Sequence, residues 1–176
     1  RIKDWLKKQT RIPGSWEMSW EIKAMAGNGG VFDFVVEGKP AQVGSKAAII
    51  NSKTGRPIVI DSNAAPARKW TRLVKKVAAK WWEEEPLIDD PITLSVVFYF
   101  NRPKKHFGTG ANSRRIKEAF RSPIHAQSPD LAKLVRCLED ALTGVVWTDD
   151  KLVYRYRDIR REWTVDNERA EITIEW

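Results

Sequence analysis

Two stretches with helical apolar periodicity, separated by a strand-like segment, constrain the fold of this chain most strongly. The first runs from about Ala65 to Glu84, and its apolar stripe is Trp70, Leu73, Val74, Val77, Ala78 and Trp81. The second covers residues 128–143, and its stripe is Leu131, Leu134, Val135, Leu138, Ala141 and Leu142. Between them, Pro91 to Phe100 is rich in β-branched and aromatic residues, which favour a strand. The sequence therefore predicts two amphipathic helices that bury one face each.

Further strand-like segments precede and follow the two helices. They are Val31 to Val36, Lys46 to Ile50, Pro57 to Ile60, Leu152 to Trp163 and Glu171 to Trp176. The second and third are predicted to form a hairpin around Thr54-Gly55. The order β-β-β-α-β-α-β-β predicts an α+β domain, with a mixed β-sheet and two main helices packed on it. We assign this domain to residues 30–176 and treat residues 1–29 as an N-terminal extension to which the sequence assigns no role.

The charge of the chain favours an anionic partner. Among 176 residues, 31 Lys and Arg stand against 23 Asp and Glu, a formal net charge of +8. Such an excess favours nucleic acid first and a membrane surface second. No apolar run approaches the roughly 20 residues of a spanning helix, so we expect no membrane partner and a cytoplasmic location. The lone Cys137 excludes an internal disulfide framework.

Residues 101–128 form a long, basic segment without clear periodicity. We call them the basic segment. Long loops in compact domains are usually functional or disordered, and this one suits contact with phosphates. Its acidic residue is Glu118, and its basic residues are Arg102, Lys104, Lys105, Arg114, Arg115, Lys117 and Arg121. His106 and His125 are candidates for general acid or base, although a loop histidine is more often a plain surface group.

The second helix carries acidic residues at its start, on its polar face and just beyond its end. They are Asp130, Glu139, Asp140, Asp149 and Asp150. Ser128 is predicted to cap this helix, with Pro129 at the first helical position. Each acid also has an ordinary structural interpretation: Asp130 as a partner of the helix dipole, Glu139 as a partner of Arg136, and the aspartate pair as a turn. Together, beside the basic segment, they indicate a metal-dependent enzyme that acts on nucleic acid.

Several of these motifs, in this order and spacing, resemble the RusA-type Holliday junction resolvases of phages and prophages. The similarity runs from about Val31 to Trp176 and rests on Gly38 to Lys46, Arg102 to Gly110, Pro129-Asp130-Leu131-Ala132-Lys133-Leu134, Arg136, Asp140-Ala141-Leu142, Gly144, Trp147 and Asp149-Asp150. The resemblance implies a homodimeric, Mg²⁺-dependent endonuclease of the bacterial host cytoplasm, with Mn²⁺ as a substitute, which cuts four-way DNA junctions symmetrically.

The resemblance also implies roles for individual residues. Asp130 and Asp150 match essential metal-site aspartates, Asp149 matches their acidic neighbour, and Arg136 stands where the family has a catalytically important lysine. Lys46 joins the seven basic residues of the basic segment as a candidate DNA contact.

Two departures from the family pattern leave alternatives open. Ala132 replaces the second aspartate of an Asp-x-Asp pair, so one expected metal contact is missing. Glu139 lies at nearly the same angle around the helix as position 132, but about 10.5 Å further along the helix axis. It either contributes to a rearranged metal site with Asp140 or merely forms a salt bridge. Arg136 stays protonated and can hold a phosphate, but it is a poor proton donor. The rival functions are a junction-binding protein that does not cut and a basic structural protein of a phage.

Overall fold

The computed structural model describes residues 23–24, 29–44, 46–61, 63–83 and 85–176. The predicted N-terminal extension, 1–29, lies almost wholly outside these residues. The strands are β1 (Lys23–Ala24), β2 (Gly30–Glu37), β3 (Lys46–Ile50), β4 (Pro57–Asp61), β5 (Ile92–Asn101), β6 (Val153–Thr164) and β7 (Arg169–Glu175). The helices are α1 (Ala64–Trp81) and α2 (Leu131–Leu142). The predicted order of elements is confirmed, with the short β1 as an addition.

The main sheet has five strands in the order β1-β2-β7-β5-β6. β5 and β6 are parallel, and the other neighbours are antiparallel, so the sheet is mixed as predicted. The predicted hairpin also forms, but β3 and β4 make a separate two-stranded sheet. The chain therefore has an α+β fold with two main helices.

The core lies between the helices and one face of the main sheet. In β2, Phe32, Phe34 and Val36 are buried, whereas Asp33 and Glu37 are exposed. This period-2 pattern is expected when a sheet has one covered and one solvated face. The helices contribute buried side chains that include Trp70, Val74, Leu134 and Leu138 to the same core. Helix α2 is thereby fixed on the sheet with its polar face outward.

One residue of the predicted stripe of α1 is misplaced. Trp81 is 38% exposed, and Trp82 is buried instead, with its ring centroid 4.9 Å from that of Phe32. Helix α1 ends at Trp81, so the next residue no longer follows the helical angle and its side chain turns to the sheet. The basic face of α1 is exposed, as expected for a solvated face; its residues are Arg68, Lys69, Arg72, Lys75, Lys76 and Lys80.

Candidate active site

Helix α2 begins two residues later than the sequence predicts. Asp130, not Ser128, is the N-cap, and its Oδ1 accepts a hydrogen bond from the backbone N–H of Lys133 at 3.3 Å. The backbone N–H of Asp130 in turn donates to Oε1 of Gln42. Ser, Pro and Asp all suit a helix start, so local preference alone does not choose among them. Asp130, the residue that acts as N-cap, is also the one that bonds to Gln42, which comes from a distant part of the chain.

The end of α2 is closed by a tight turn that brings the chain back along the helix. Gly144 has φ +74°, a conformation that favours glycine, and its N–H donates to the carbonyl of Trp147 at 2.7 Å. The indole Nε1–H of the fully buried Trp147 donates to Thr143 Oγ1 at 3.0 Å. Helix α2 therefore ends just before Gly144, and Trp147 anchors the segment that carries the aspartate pair.

The aspartate pair lies directly after this anchor. Asp149 caps the 3₁₀ turn Asp150–Leu152, because its carboxylate accepts from the backbone N–H of Lys151 at 3.0 Å. These hydrogen bonds to Lys151 lower the pKa of Asp149. Asp150 is exposed and acts electrostatically on Glu139. The turn therefore presents Asp150 toward the polar face of α2, with Asp149 occupied in shaping the turn.

Strand β6 then adds a residue that the sequence reasoning missed. The phenol hydroxyl of Tyr156 donates to Oε1 of Glu139 at 2.6 Å. Burial, the hydrogen bond with Glu139 and the charges of Glu139 and Asp150 together raise the pKa of Tyr156 to about 12, so the phenol keeps its proton at neutral pH. No sequence motif marks this tyrosine, because its contact with α2 depends on the path of the chain between α2 and β6. We call Glu139, Asp140, Asp149, Asp150 and Tyr156 the acidic cluster.

Glu139 is under opposing electrostatic influences within the acidic cluster. Its partial burial raises the pKa of its carboxyl, and the negative charges of Asp150 and Asp140 raise that pKa further. The hydrogen bond from Tyr156 and the positive charge of Arg136 lower it. Arg136 is exposed and stands one helical turn before Glu139, on the same side of α2. The structure thus brings Glu139, Asp150 and Arg136 into one electrostatic neighbourhood.

Asp130 lies at the other end of α2. Residues 130 and 139 are nine residues apart, which corresponds to about 13.5 Å along a helix axis. The contacts that the described residues make connect Asp130 to Gln42 and Lys133, and connect Glu139 to Tyr156, Asp140 and Asp150. They do not join the two groups. The predicted ligands are therefore divided between the two ends of the helix.

The oxygen donors of the acidic cluster suit a hard divalent cation in kind. Within the described ranges, no three side chains of His, Cys, Asp or Glu converge to enclose a metal ion. Mg²⁺, however, commonly keeps several waters and is held by one or two carboxylates together with substrate phosphates. Glu139 and Asp150, whose charges influence each other, supply the two carboxylates that such a site requires. Ala132 is exposed and brings no donor atom.

The basic segment is folded, with three 3₁₀ turns at Lys104–His106, Gly110–Asn112 and Glu118–Phe120. Arg102 holds it in place, since its guanidinium donates to the carbonyls of Phe120 at 2.5 Å and Ser122 at 2.8 Å. Arg102 is thus engaged within the segment and less available for phosphates than predicted. The exposed basic residues are Lys104, Lys105, Arg114, Arg115, Lys117 and Arg121. Lys46 lies on β3, and its side chain is outside the described part of the structure.

The interpretation of His106 and His125 as surface groups is wrong. They are 3% and 4% exposed, and both pack against Trp163, with ring centroids 5.1 and 4.0 Å from it. His106 also stacks on Phe120 at 4.2 Å. In the described part of the chain, Nδ1 of each ring has no hydrogen-bond partner. The two rings therefore pack the basic segment onto β6. Because they are buried, they are poorly placed to act as general acid or base at the surface.

Comparison with known protein families gives one match. A family profile described as Endodeoxyribonuclease RusA matches residues 40–175, well over half of the chain. The chain belongs to the RusA family. It is therefore an endodeoxyribonuclease of the Holliday junction resolvase type, and the predicted fold and family are confirmed. No curated protein matches the chain. No helix in the described part of this RusA-family chain is long and apolar enough to cross a membrane.

Proposed function

We propose that the chain is a divalent-metal-dependent endonuclease that resolves four-way or otherwise branched DNA by paired, symmetric nicks. The observation that carries the proposal is the hydrogen bond of Tyr156 to Glu139 within electrostatic reach of Asp150, on the same chain as the exposed basic segment. Carboxylates repel the phosphates of DNA, so a DNA-cleaving site built from them needs a cation to offset that repulsion. Family membership supplies the reaction class, cleavage of DNA within the chain.

Asp150 is the carboxylate on which the metal site depends in this proposal. It belongs to both candidate pairs, with Asp130 from the resemblance and with Glu139 from the contacts. Asp149 and Asp140 border it, and we assign them supporting negative charge. A bound Mg²⁺ would neutralise charge on the scissile phosphate and lower the pKa of a water near it. Mn²⁺ is the expected substitute, because it also prefers oxygen ligands.

The remaining roles belong to side chains near the acidic cluster and on the basic segment. The guanidinium of Arg136 offsets the negative charge that develops on the phosphate oxygens during attack. It stays protonated throughout, so we assign it no proton transfer. The exposed residues of the basic segment follow the DNA phosphates and do not read sequence; they are Lys104, Lys105, Arg114, Arg115, Lys117 and Arg121.

Paired cuts need two active centres. A four-way junction has approximate two-fold symmetry, and a C2 homodimer would present two acidic clusters related by the same symmetry. We therefore propose that the active form is a homodimer. We further propose that a phage or prophage encodes the protein and that it acts in the cytoplasm of the bacterial host. Sedimentation of the protein alone and with a junction would test the stoichiometry. A strictly monomeric complex that still makes paired cuts would contradict it.

A second function, junction binding without cleavage, is favoured by one observation. Ala132 lacks the carboxylate that the family pattern has at this position, while the exposed basic residues remain. Such a protein would bind branched DNA in a strongly salt-dependent way and leave it intact.

One assay separates these functions. A labelled four-way junction and a linear duplex of matched sequence are incubated with the protein, with and without Mg²⁺. We expect metal-dependent, symmetric nicks in the junction, and Asp150→Asn as the matched variant should bind it without cutting. Tight binding with no cuts would support the second function, and Ala132→Asp would then show whether the missing carboxylate is the cause. Equal affinity for both DNAs would contradict both functions.

A further inference from the structure

The hydrogen bond between Tyr156 and Glu139 restricts the orientation of the Glu139 carboxylate. Glutamate has three side-chain torsions, and fixing them costs free energy. Glu139 is half-buried, and its Oε1 accepts from the Tyr156 hydroxyl at 2.6 Å, a short distance for this type of bond. The tyrosine ring, by contrast, has two torsions and projects from a strand of the main sheet. A rigid donor therefore holds a flexible acceptor.

The direction in which Glu139 is held matters because of its neighbours. Asp150 and Asp140 repel its charge, and both therefore favour conformations in which the carboxylate swings toward solvent. The bond from Tyr156 opposes that movement. It occupies one lone pair of Oε1, although a carboxylate offers about four acceptor positions, and among the described residues no hydrogen bond to Oε2 accompanies it. The carboxylate is thus kept beside Asp150 with an oxygen available for a further partner.

We propose that Tyr156 is a positioning residue, which holds Glu139 beside Asp150 so that Glu139 supplies the oxygen ligand that Ala132 lacks. This inference rests on the proposed function, because it requires that the acidic cluster bind a divalent cation. Tyr156 acts through Glu139 and does not itself contact the cation. The rearranged site, with Glu139 in place of an aspartate at position 132, then depends on a residue from β6.

A neighbouring tyrosine offers a matched control. Tyr154 lies two residues earlier on β6 and is 67% exposed, against 53% for Tyr156. Its hydroxyl accepts from Thr93 Oγ1 at a long 3.5 Å and has no described contact with a carboxylate. Replacement of either hydroxyl by hydrogen removes one polar group from an exposed part of the same strand. A purely structural contribution of the hydroxyl should therefore be similar in the two variants.

The experiment measures Mn²⁺ binding to the DNA-free protein, by electron paramagnetic resonance of the unbound ion. We expect Tyr156→Phe to weaken binding about tenfold, as is typical when the partner of a metal ligand is removed. Tyr154→Phe should bind as the wild type does, and melting temperatures of both variants should remain close to it. In cleavage assays, Tyr156→Phe should raise the Mg²⁺ concentration for half-maximal rate and leave the rate at saturating Mg²⁺ largely intact.

Epistasis with Glu139 completes the test. In a Glu139→Gln background, Tyr156→Phe should have no further effect on Mn²⁺ affinity, since the carboxylate that it positions is gone. Unchanged affinity in Tyr156→Phe, an equal effect of Tyr154→Phe, or full additivity with Glu139→Gln would overturn the inference while leaving the proposed function standing. Wild-type protein that neither binds Mn²⁺ nor cuts a junction would overturn both.

Discussion

The acidic residues at the two ends of helix α2 have different surroundings. At its start, Asp130 satisfies the backbone: it caps the helix and its own N–H is bound by Gln42. At its end, Glu139 accepts a hydrogen bond from Tyr156, and burial together with the negative charge of Asp150 raises the pKa of its carboxyl. An acid that completes hydrogen bonds of the backbone lowers the free energy of the fold. For the acids that repel each other across the turn, we propose a cation as the partner that offsets the repulsion.

The contrast leads us to propose that the metal site of this chain lies nearer the end of α2 than its start. The family pattern centres on the helix start, but Ala132 removes a donor there. The end of the helix gains Glu139, which is oriented from β6. The following predictions test this contrast, from the largest expected effect to the smallest.

Asp150→Asn should have the largest effect on cleavage. The substitution keeps the shape of the side chain but removes the charge that both candidate metal pairs share. We expect junction cleavage to fall by at least about a thousandfold, equivalent to about 4 kcal/mol. Junction affinity should be retained or slightly improved, because a negative charge is lost beside the DNA. Cleavage rates under single turnover and a binding titration measure the two. Asp90→Asn, which changes an exposed aspartate before β5, is the control; equal activity of the two variants would remove Asp150 from the site.

Glu139→Gln should lower cleavage by about a hundredfold, since amide oxygen is a weaker Mg²⁺ ligand than carboxylate. Glutamine still accepts the hydrogen bond from Tyr156, so the fold at the end of α2 should be kept. The cleavage rate across a range of Mg²⁺ concentrations is the measurement. An unchanged rate at every concentration would reduce Glu139 to an ordinary salt-bridge partner of Arg136.

Asp130→Asn should separate capping from chemistry at the start of α2. Asparagine caps a helix about as well as aspartate, whereas Asp130→Ala should cost about 1 kcal/mol of stability. We expect Asp130→Asn to melt at the wild-type temperature and to cleave about tenfold more slowly. Thermal unfolding and single-turnover cleavage of both variants give the comparison. A loss as great as that of Asp150→Asn would return the metal site to the helix start.

Acid should weaken the packing of the basic segment by a smaller amount. Burial, with a smaller contribution from Arg102, Lys105 and Lys117, lowers the pKa of His106. Burial also lowers the pKa of His125, with Arg161 adding to the effect. A histidine whose pKa is lowered by folding contributes its full stability above its unfolded pKa of about 6.5 and loses it as the pH falls through that range.

Thermal unfolding from about pH 7.5 to about pH 5.5 should therefore show a decline that is smaller in His106→Phe than in the wild type. Phenylalanine preserves the stacking on Phe120 but cannot be protonated. An identical pH dependence in both proteins would show that His106 does not titrate in this range.

Local periodicity was enough to predict α1, α2 and the order of strands, because burial of one face leaves a regular mark on the sequence. The hairpin of β3 and β4 was equally legible from its turn residues. Periodicity failed at Trp81 and Trp82, because side chains follow the helical spacing only as far as the last residue of the helix. The sequence does not show which residue that is.

The site was less predictable than the fold, since it depends on contacts between distant segments. The acids of α2 and the aspartate pair could be found as a pattern. The bond from Tyr156 to Glu139 could not, because it requires the turn at Gly144 and the anchor at Trp147 to set the path of β6. The burial of His106 and His125 lacked a signal for the same reason: an aperiodic segment does not reveal which side packs on the sheet.

The location of the metal is the most direct test. Mn²⁺ broadens amide signals of nearby residues in nuclear magnetic resonance spectra, so a titration of isotope-labelled protein maps where the ion binds. We predict the strongest broadening at Glu139, Asp140, Asp149, Asp150 and Tyr156, with weaker broadening at Ala132 and Lys133, and loss of the broadening in Asp150→Asn. Broadening that is strongest at residues 130–133, or spread evenly over the surface, would contradict a cation site at the end of α2.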